Sequence, residues 1–269
     1  LFGLMELLVY SQGFMKQYKT ESRIATTQKV DTTDLLTEKD MKHLPSIVRE
    51  YLYYTGSVGK PKVHHFHVEF DGAIRKNENQ GWMKFRSMQN NFIEPATRIF
   101  YIKARKMGIP ATGIHLYKNE TAIMKIKMAG MITVVDAKGQ QMDQGETVTV
   151  FNDMCFMAPA TLIDKRIEWQ EVDSFTVNAR FSNGHISISA TLFFNAKGEL
   201  VNFTSNDRFE TSDGIEYRNY PWITPVYEYR KFNGYRLASR AEAIYRKPDG
   251  DFCYGQFALK KVEYNFINH

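Results

Sequence analysis

The sequence predicts a mainly β fold of the α+β class: a curved antiparallel meander or half-barrel, with N-terminal helices and an inserted apolar helical segment. Three observations carry this. From Lys62 onward apolar and polar residues alternate with a period of two over most of the chain, the signature of half-buried strands. Short turns such as Ser182-Asn183-Gly184, Asn195-Ala196-Lys197-Gly198, Asn233-Gly234 and Pro248-Asp249-Gly250 separate these runs, so successive strands fold back antiparallel. One stretch, Phe151 to Asp164, loses the alternation yet is too apolar for an exposed loop, and reads as one or two short helices set into the meander.

Before the strands begin, residues 1 to about 55 read as helical, with few Gly or Pro and apolar residues at helical spacing. Thr37-Glu38-Lys39-Asp40 resembles a capping box. Pro45 suits the first turn of a helix over 46–54, and Gly56 supplies its stop. Leu44, Val48, Tyr51 and Leu52 form the stripe that this helix would bury against the sheet. Strands are expected at 63–71, 82–92, 97–105, 114–117 and 122–128, then at 168–172, 175–181, 185–195, 200–208, 226–232, 235–245 and 252–264. Residues 206–224 read as a long loop, the kind that often forms a lid or a mouth. The domain organisation expected is an N-terminal helical segment over 1–43, a possible anchor remnant, followed by one antiparallel β domain over 44–269.

Composition narrows the function classes. The 269 residues are 43% hydrophobic and 24% charged, ordinary for a globular protein and unlike a disordered or fibrous chain. Nineteen Phe, fifteen Tyr and three Trp beside twelve Met suit curved sheets and adaptable apolar pockets, as well as plain core packing. The net charge of +5 favours approach to anionic headgroups or acidic ligands, but the cations are scattered, so no nucleic-acid partner is expected. The partners expected are an apolar small molecule or lipid, with membrane association through the apolar residues 1–10 and the basic Lys16, Lys19 and Arg23 that follow. The competing expectation is a cytoplasmic domain whose first helix packs on the sheet by Phe2, Met5 and Val9.

Several segments resemble a bacterial family of unknown function: the run Glu146-Thr147-Val148-Thr149-Val150-Phe151-Asn152-Asp153-Met154-Cys155 and Ala158-Pro159-Ala160-Thr161-Leu162-Ile163-Asp164. Leu44-Pro45, Thr55-Gly56, Thr97-Arg98, Val134-Val135-Asp136-Ala137 and Leu200-Val201-Asn202-Phe203 belong to the same resemblance, which covers roughly residues 44–265. In element order the chain is also similar to the half-barrel lipoprotein carriers and receptors of bacterial envelopes. That likeness implies a curved sheet around an apolar cavity plugged by helices, acyl chains as ligands, and a membrane-associated or extracytoplasmic location.

The binding site expected on this reading is an apolar pocket of Phe151, Met154, Phe156, Met157 and Leu162 from the insertion, facing Phe85, Phe100, Phe181 and Phe193 from strands, with Arg98 and Arg208 for an anionic headgroup. A solid core is the alternative use of the same side chains. For catalysis the candidates are Asn152, Asp153 and Cys155, the last as a nucleophile served by His115 or His185, or paired carboxylates from Glu146, Asp164 and Asp207. Against this, Asp153 suits a helix cap and Cys155 a buried thiol. His65, His67 and Glu69 share a strand face and carry metal-ligating groups, but a solvated polar face explains them equally well, so neither metal nor cofactor is expected. No phosphate loop, Gly-x-Ser-x-Gly elbow or His-Glu-x-x-His helix is present.

Overall fold

The computed structural model of the chain describes residues 2–26, 30–106 and 108–266, with side chains from residue 13 onward apart from residue 106. Alternating side chains bury the inner face of most strands, and among the described residues fourteen strands pair antiparallel into one curled sheet. Its first wing is β1 (His65–Ile74), β2 (Met83–Phe92), β3 (Thr97–Lys106), β4 (Ile109–Lys118), β5 (Thr121–Met128) and β6 (Ile132–Lys138). The second wing is β7 (Ile167–Asp173), β8 (Thr176–Asn183), β9 (Ile186–Phe194) and β10 (Leu200–Ser205). Between β10 and the long strands lie the short β11 (Phe209–Glu210), β12 (Arg218–Asn219) and β13 (Trp222–Ile223), then β14 (Val226–Phe232). The long strands β15 (Tyr235–Lys247) and β16 (Gly250–Tyr264) join the wings in the order β6-β5-β4-β3-β2-β1-β16-β15-β13-β10-β9-β8-β7, with β14 beside β15. β11 and β12 pair separately with each other.

Bulges bend the sheet. Register shifts fall between Glu69 and Phe70, between Ile126 and Lys127, and between Ala243 and Ile244, each raising the local twist. Small inner-face residues permit the close approach that curvature requires. A Cβ at Gly72 would lie 2.3 Å from the Gln256 carbonyl oxygen and 2.4 Å from the Phe85 ring, and one at Gly113 would meet Ile102 Cγ2 at 2.9 Å.

Among the described residues, three α-helices pack on this sheet. Helix α1 (Phe2–Ala25) crosses the convex face, where Phe14 and Tyr18 bury Phe92, Ile99, Tyr101 and Ile114. The side chains of Phe2, Met5 and Val9 lie outside the described residues. No described helix is long and apolar enough to cross a membrane. Helix α2 (Ser46–Tyr54) buries Ile47, Val48, Tyr51 and Leu52, follows Pro45 as expected, and ends before Gly56 at φ +69°. Helix α3 (Gln140–Met157) fills the concave side, where every residue from Gly145 to Met157 except Asp153 is buried, and a short 3-10 helix (Pro159–Ile163) continues it. The wings meet at one rim through the β4–β5 and β8–β9 turns: Asn183 donates to the Tyr117 hydroxyl at 2.8 Å, and His185 bonds Glu120.

Three expectations need correction. The inserted helix begins at Gln140 and not at Phe151, because a helix buried on all sides needs no amphipathic period and β-branched Thr147 to Val150 disguise it as a strand. Strand β6 was not expected at all, since the bulge opposite Ile126 breaks its alternation. The Thr37–Asp40 segment forms a turn in which Asp40 accepts from the Thr37 amide (2.8 Å) and hydroxyl (2.7 Å), without a helix to cap.

The packing around Gly72 yields a test. Gly72→Ala has no space for its methyl group and is expected to cost about 2 kcal/mol or more, read as a lower urea midpoint. An unchanged midpoint would contradict the curvature described.

Candidate functional site

Inner-face residues differ sharply along the strands. Beneath α3 and towards the rim where the wings meet, side chains such as Phe66, Val68, Phe151 and Phe181 are fully buried. Towards the opposite rim the sheet extends past the helix. There Ile74, Met83, Ile102, Met124, Ile126 and Met128 are only half-buried, and Ile132 is 63% exposed. Their shared side of the sheet follows from register: Met124 pairs His115, Ile126 pairs Gly113, and the Cβ direction of Gly113 points at both Ile102 and Ile126. The result is an open concave strip of Ile and Met beside the buried helix.

A buried ionic cluster ties α3 to the sheet next to this strip. Arg98 of β3 donates from Nε to Asp153 (2.7 Å), from Nη1 to Glu146 (3.0 Å) and from Nη2 to Gln89 (3.1 Å). Gln89 and Asn91 of β2 also donate to Asp153, at 2.7 and 3.1 Å. His115 Nδ1 lies 3.6 Å from Glu146. Burial alone would raise the Glu146 carboxyl, but the charge of Arg98 and the contact with His115 outweigh it and hold the group at about 2. Burial lowers the His115 imidazole despite Glu146, which favours its neutral form.

Arg208 is placed differently. Its guanidinium stacks 4.7 Å over the Trp222 ring, and its side chain rests on α3, where a Cβ at Gly145 would lie 3.7 Å from Arg208 Cγ. Glu146 and Asp153 act on it through space and, with Tyr245 and Tyr254, raise its affinity for the proton against the effect of burial. Yet its Nε is buried without a hydrogen-bond partner among the described residues, as is Ser87 Oγ on the inner face of β2. The loop over 206–224 holds it there. Tyr217 donates to the Lys138 carbonyl at 3.4 Å and Gly214, at φ +82°, packs against Ala137, so the loop bridges from β10 to β6.

The other expected site residues separate. Phe85, Phe100, Phe151, Met154, Phe156, Met157, Leu162 and Phe181 come together, as closely packed core, with Phe151 and Phe181 rings stacked at 5.3 Å. Phe193 falls on the convex face, because Ile188, Ala190, Leu192 and Phe194 are the inner set of β9. Asn152 donates to Thr224 at 2.7 Å, and the buried Cys155 thiol is pushed up by burial and by Asp153. Both cysteines are free. Asp164 pairs with Arg166 at 2.6 Å, while Asp207 accepts from the Ser189 amide at 2.6 Å, so these carboxylates stand apart from Glu146. His185 pairs with Glu120. His65 bonds the Phe266 carbonyl at 2.8 Å and His67 bonds Asn90 at 2.7 Å; among the described residues no group of three could hold a metal ion. An open groove of about 670 Å³ lies on the convex face of β7 to β10, lined by polar Gln170, Asn178, Arg180, Ser189, Thr191 and Asp207.

Sequence reasoning named Arg98 and Arg208 together as headgroup ligands; the structure separates a guanidinium bonded to Asp153, Glu146 and Gln89 from one that stacks on Trp222 and whose Nε has no hydrogen-bond partner among the described residues. It missed the half-exposed strip, whose signal was present as Met124, Ile126 and Met128 alternating with Lys125 and Lys127.

Residues 34–257 match the model of DUF6544, a family of unknown function. No curated protein shows significant similarity to the chain. Among solved structures, a LolA superfamily protein from Nitrosomonas europaea is similar with a TM-score of 0.42 and 7% identity, over 82% of this chain and 94% of that one.

Two outcomes test the cluster. Arg98→Met strands the buried carboxylate of Glu146 and the partly buried one of Asp153, and is expected to lower stability by about 3 kcal/mol at neutral pH, measured by urea unfolding. Because the folded state depresses Glu146 from 4.5 to about 2, its contribution is present above pH 4.5 and is lost as pH falls towards 2. Glu146→Gln should flatten that stretch of the stability profile; a slope identical to the parent's would show that Glu146 is not held down.

Proposed function

Since the chain belongs to the DUF6544 family of unknown function, we propose from its own geometry that it is a non-enzymatic binder of an apolar, acyl-chain-type ligand. One observation carries the reading: the half-exposed inner strip of Ile102, Met124, Ile126 and Met128 on a curved sheet. Apolar side chains on a concave surface gain by covering themselves with an apolar chain, at roughly 25 cal/mol per Å² removed from water. Methionine adapts to chains of different shape. The buried helix α3 closes the floor, so the ligand lies along the strip and beside the helix, and the Phe151 cluster remains packed core.

Arg208 is the polar anchor in this reading. Arg98 is committed to Asp153, Glu146 and Gln89, whereas Arg208 keeps hydrogen-bonding capacity that a carboxylate or phosphate headgroup would fill. A carrier role beside a membrane, in the cell envelope of a bacterium, is the biological setting that we propose for such a binder.

The test is uptake of a fluorescent long-chain fatty acid, together with native mass spectrometry of the purified protein for retained lipid. Ile126→Asp is expected to weaken uptake about tenfold or more, since it places a charge in the apolar strip. Arg208→Met should weaken binding of the fatty acid more than that of its methyl ester, which lacks the anionic group. No saturable uptake by the parent protein, and no retained lipid, would sink the proposal.

A further inference from the structure

The half-exposed strip opens at one rim of the sheet, and the turns there carry unusual side chains. Register places the β1–β2, β3–β4 and β5–β6 turns side by side, since Ile74 pairs Met83, Lys106 pairs Ile109 and Met128 pairs Ile132. Each turn presents an exposed apolar residue: Trp82 at 40%, Ile109 at 48% and Met131 at 55%, with Ile132 beside Met131. Arg75 lies 4.6 Å over the Trp82 ring. Single exposed apolar residues are ordinary, but four on three adjoining turn tips form one ridge.

Directly behind the ridge, the convex face is basic. The row nearest this rim holds Lys84, paired with Ala73, and Arg105, paired with Pro110, and the next holds Arg86, Lys103 and Lys127, the last with its Nζ 5.3 Å over the Phe14 ring of α1. Asp71, paired with Arg86 at 3.4 Å, is the one carboxylate in these two rows of β1 to β5. Lys103 and Arg105 are exposed and make no ion pair among the described residues. The rim's other acidic groups are Glu78, in the same β1–β2 turn as Trp82, and Asp249 with Asp251 at the β15–β16 turn, where Asp251 is taken up by Arg246 at 3.3 Å.

We propose that this rim docks on an anionic membrane surface, with Trp82, Ile109, Met131 and Ile132 entering the headgroup region and Lys84, Arg86, Lys103 and Arg105 facing the phosphates. The proposal goes beyond ligand binding and stands on residues other than Ile102, Met124, Ile126 and Met128, although it sets the mouth of the apolar strip against the bilayer from which a chain would enter. Apolar tips ringed by Lys and Arg, with a tryptophan among them, match the chemistry of the interface. An anionic leaflet draws such cations over a distance limited by screening. A nucleic acid would use the cations but has no use for the ridge, which is why the membrane is the partner.

Co-sedimentation of the full chain with vesicles tests this, using an equal mixture of phosphatidylglycerol and phosphatidylcholine against phosphatidylcholine alone. The protein should sediment with the anionic vesicles only, and less as salt rises. The triple variant K84E/K103E/R105E and the double variant W82S/M131S alter exposed side chains, so circular dichroism should show both folded. Each should bind at least about tenfold more weakly. Absence of binding to anionic vesicles, or undiminished binding by both folded variants, would overturn the proposal. So would a duplex oligonucleotide bound more tightly than the vesicles and equally well by W82S/M131S. Fatty-acid uptake by Ile126→Asp is a separate assay, so failure of the ligand site and failure of rim docking are read independently.

Discussion

Because helix α3 lies inside the curled sheet with almost no face turned to solvent, every polar group it carries must find a partner in protein, and the remaining structure depends on that constraint. Arg98 supplies the answer for two carboxylates at once, Asp153 and Glu146, and Gln89 and Asn91 take up what remains of Asp153. Taking three charges out of water is costly, so such a cluster does more to fix where the helix lies than to add net stability. The helix ends are fastened in the same way: Asp143 accepts from the Ala122 amide at 2.6 Å, and the carbonyls of Cys155 and Met157 accept from Tyr51 and Tyr264 at 3.0 and 2.5 Å. One placement of the helix satisfies all of these bonds together.

That placement divides the concave face. Below the helix the two wings close on it and the aromatic residues Phe151, Phe181 and Phe203 pack without exposure. Above it the first wing runs on past the helix, and no second layer covers Ile102, Ile126 and Met128 completely. The bulge at Ile126 and the absence of side chains at Gly72 and Gly113 keep that extension curved, which turns an uncovered sheet face into a concave one. The functional reading therefore rests on a mismatch of lengths between a helix and the strands that hold it.

Much of this was legible in the sequence, for identifiable reasons. Helix α2 has Pro45 before it and Gly56 after it, and β14 ends at Asn233-Gly234, so local chemistry marks these boundaries. The concave position of the insertion followed from apolar content that only burial could explain. The pairing of Arg98 with Glu146 and Asp153 was illegible, although all three were singled out, because partners 48 and 55 positions apart are matched by the fold alone. For the same reason Met154 and Phe156 could be named but not sorted into pocket wall or core: both uses ask for the same side chains. Arg208 differs from Arg98 only in what surrounds it, and a sequence does not display surroundings.

The most direct measurement of the central claim is a methyl-resolved nuclear magnetic resonance titration with a long-chain fatty acid, following the methyl groups of Ile102, Met124, Ile126 and Met128 beside those of Met154 and Met157. The account predicts saturable shifts in the first four, with the two core methionines nearly unmoved. Shifts confined to the core methionines, or none that saturate, would contradict it.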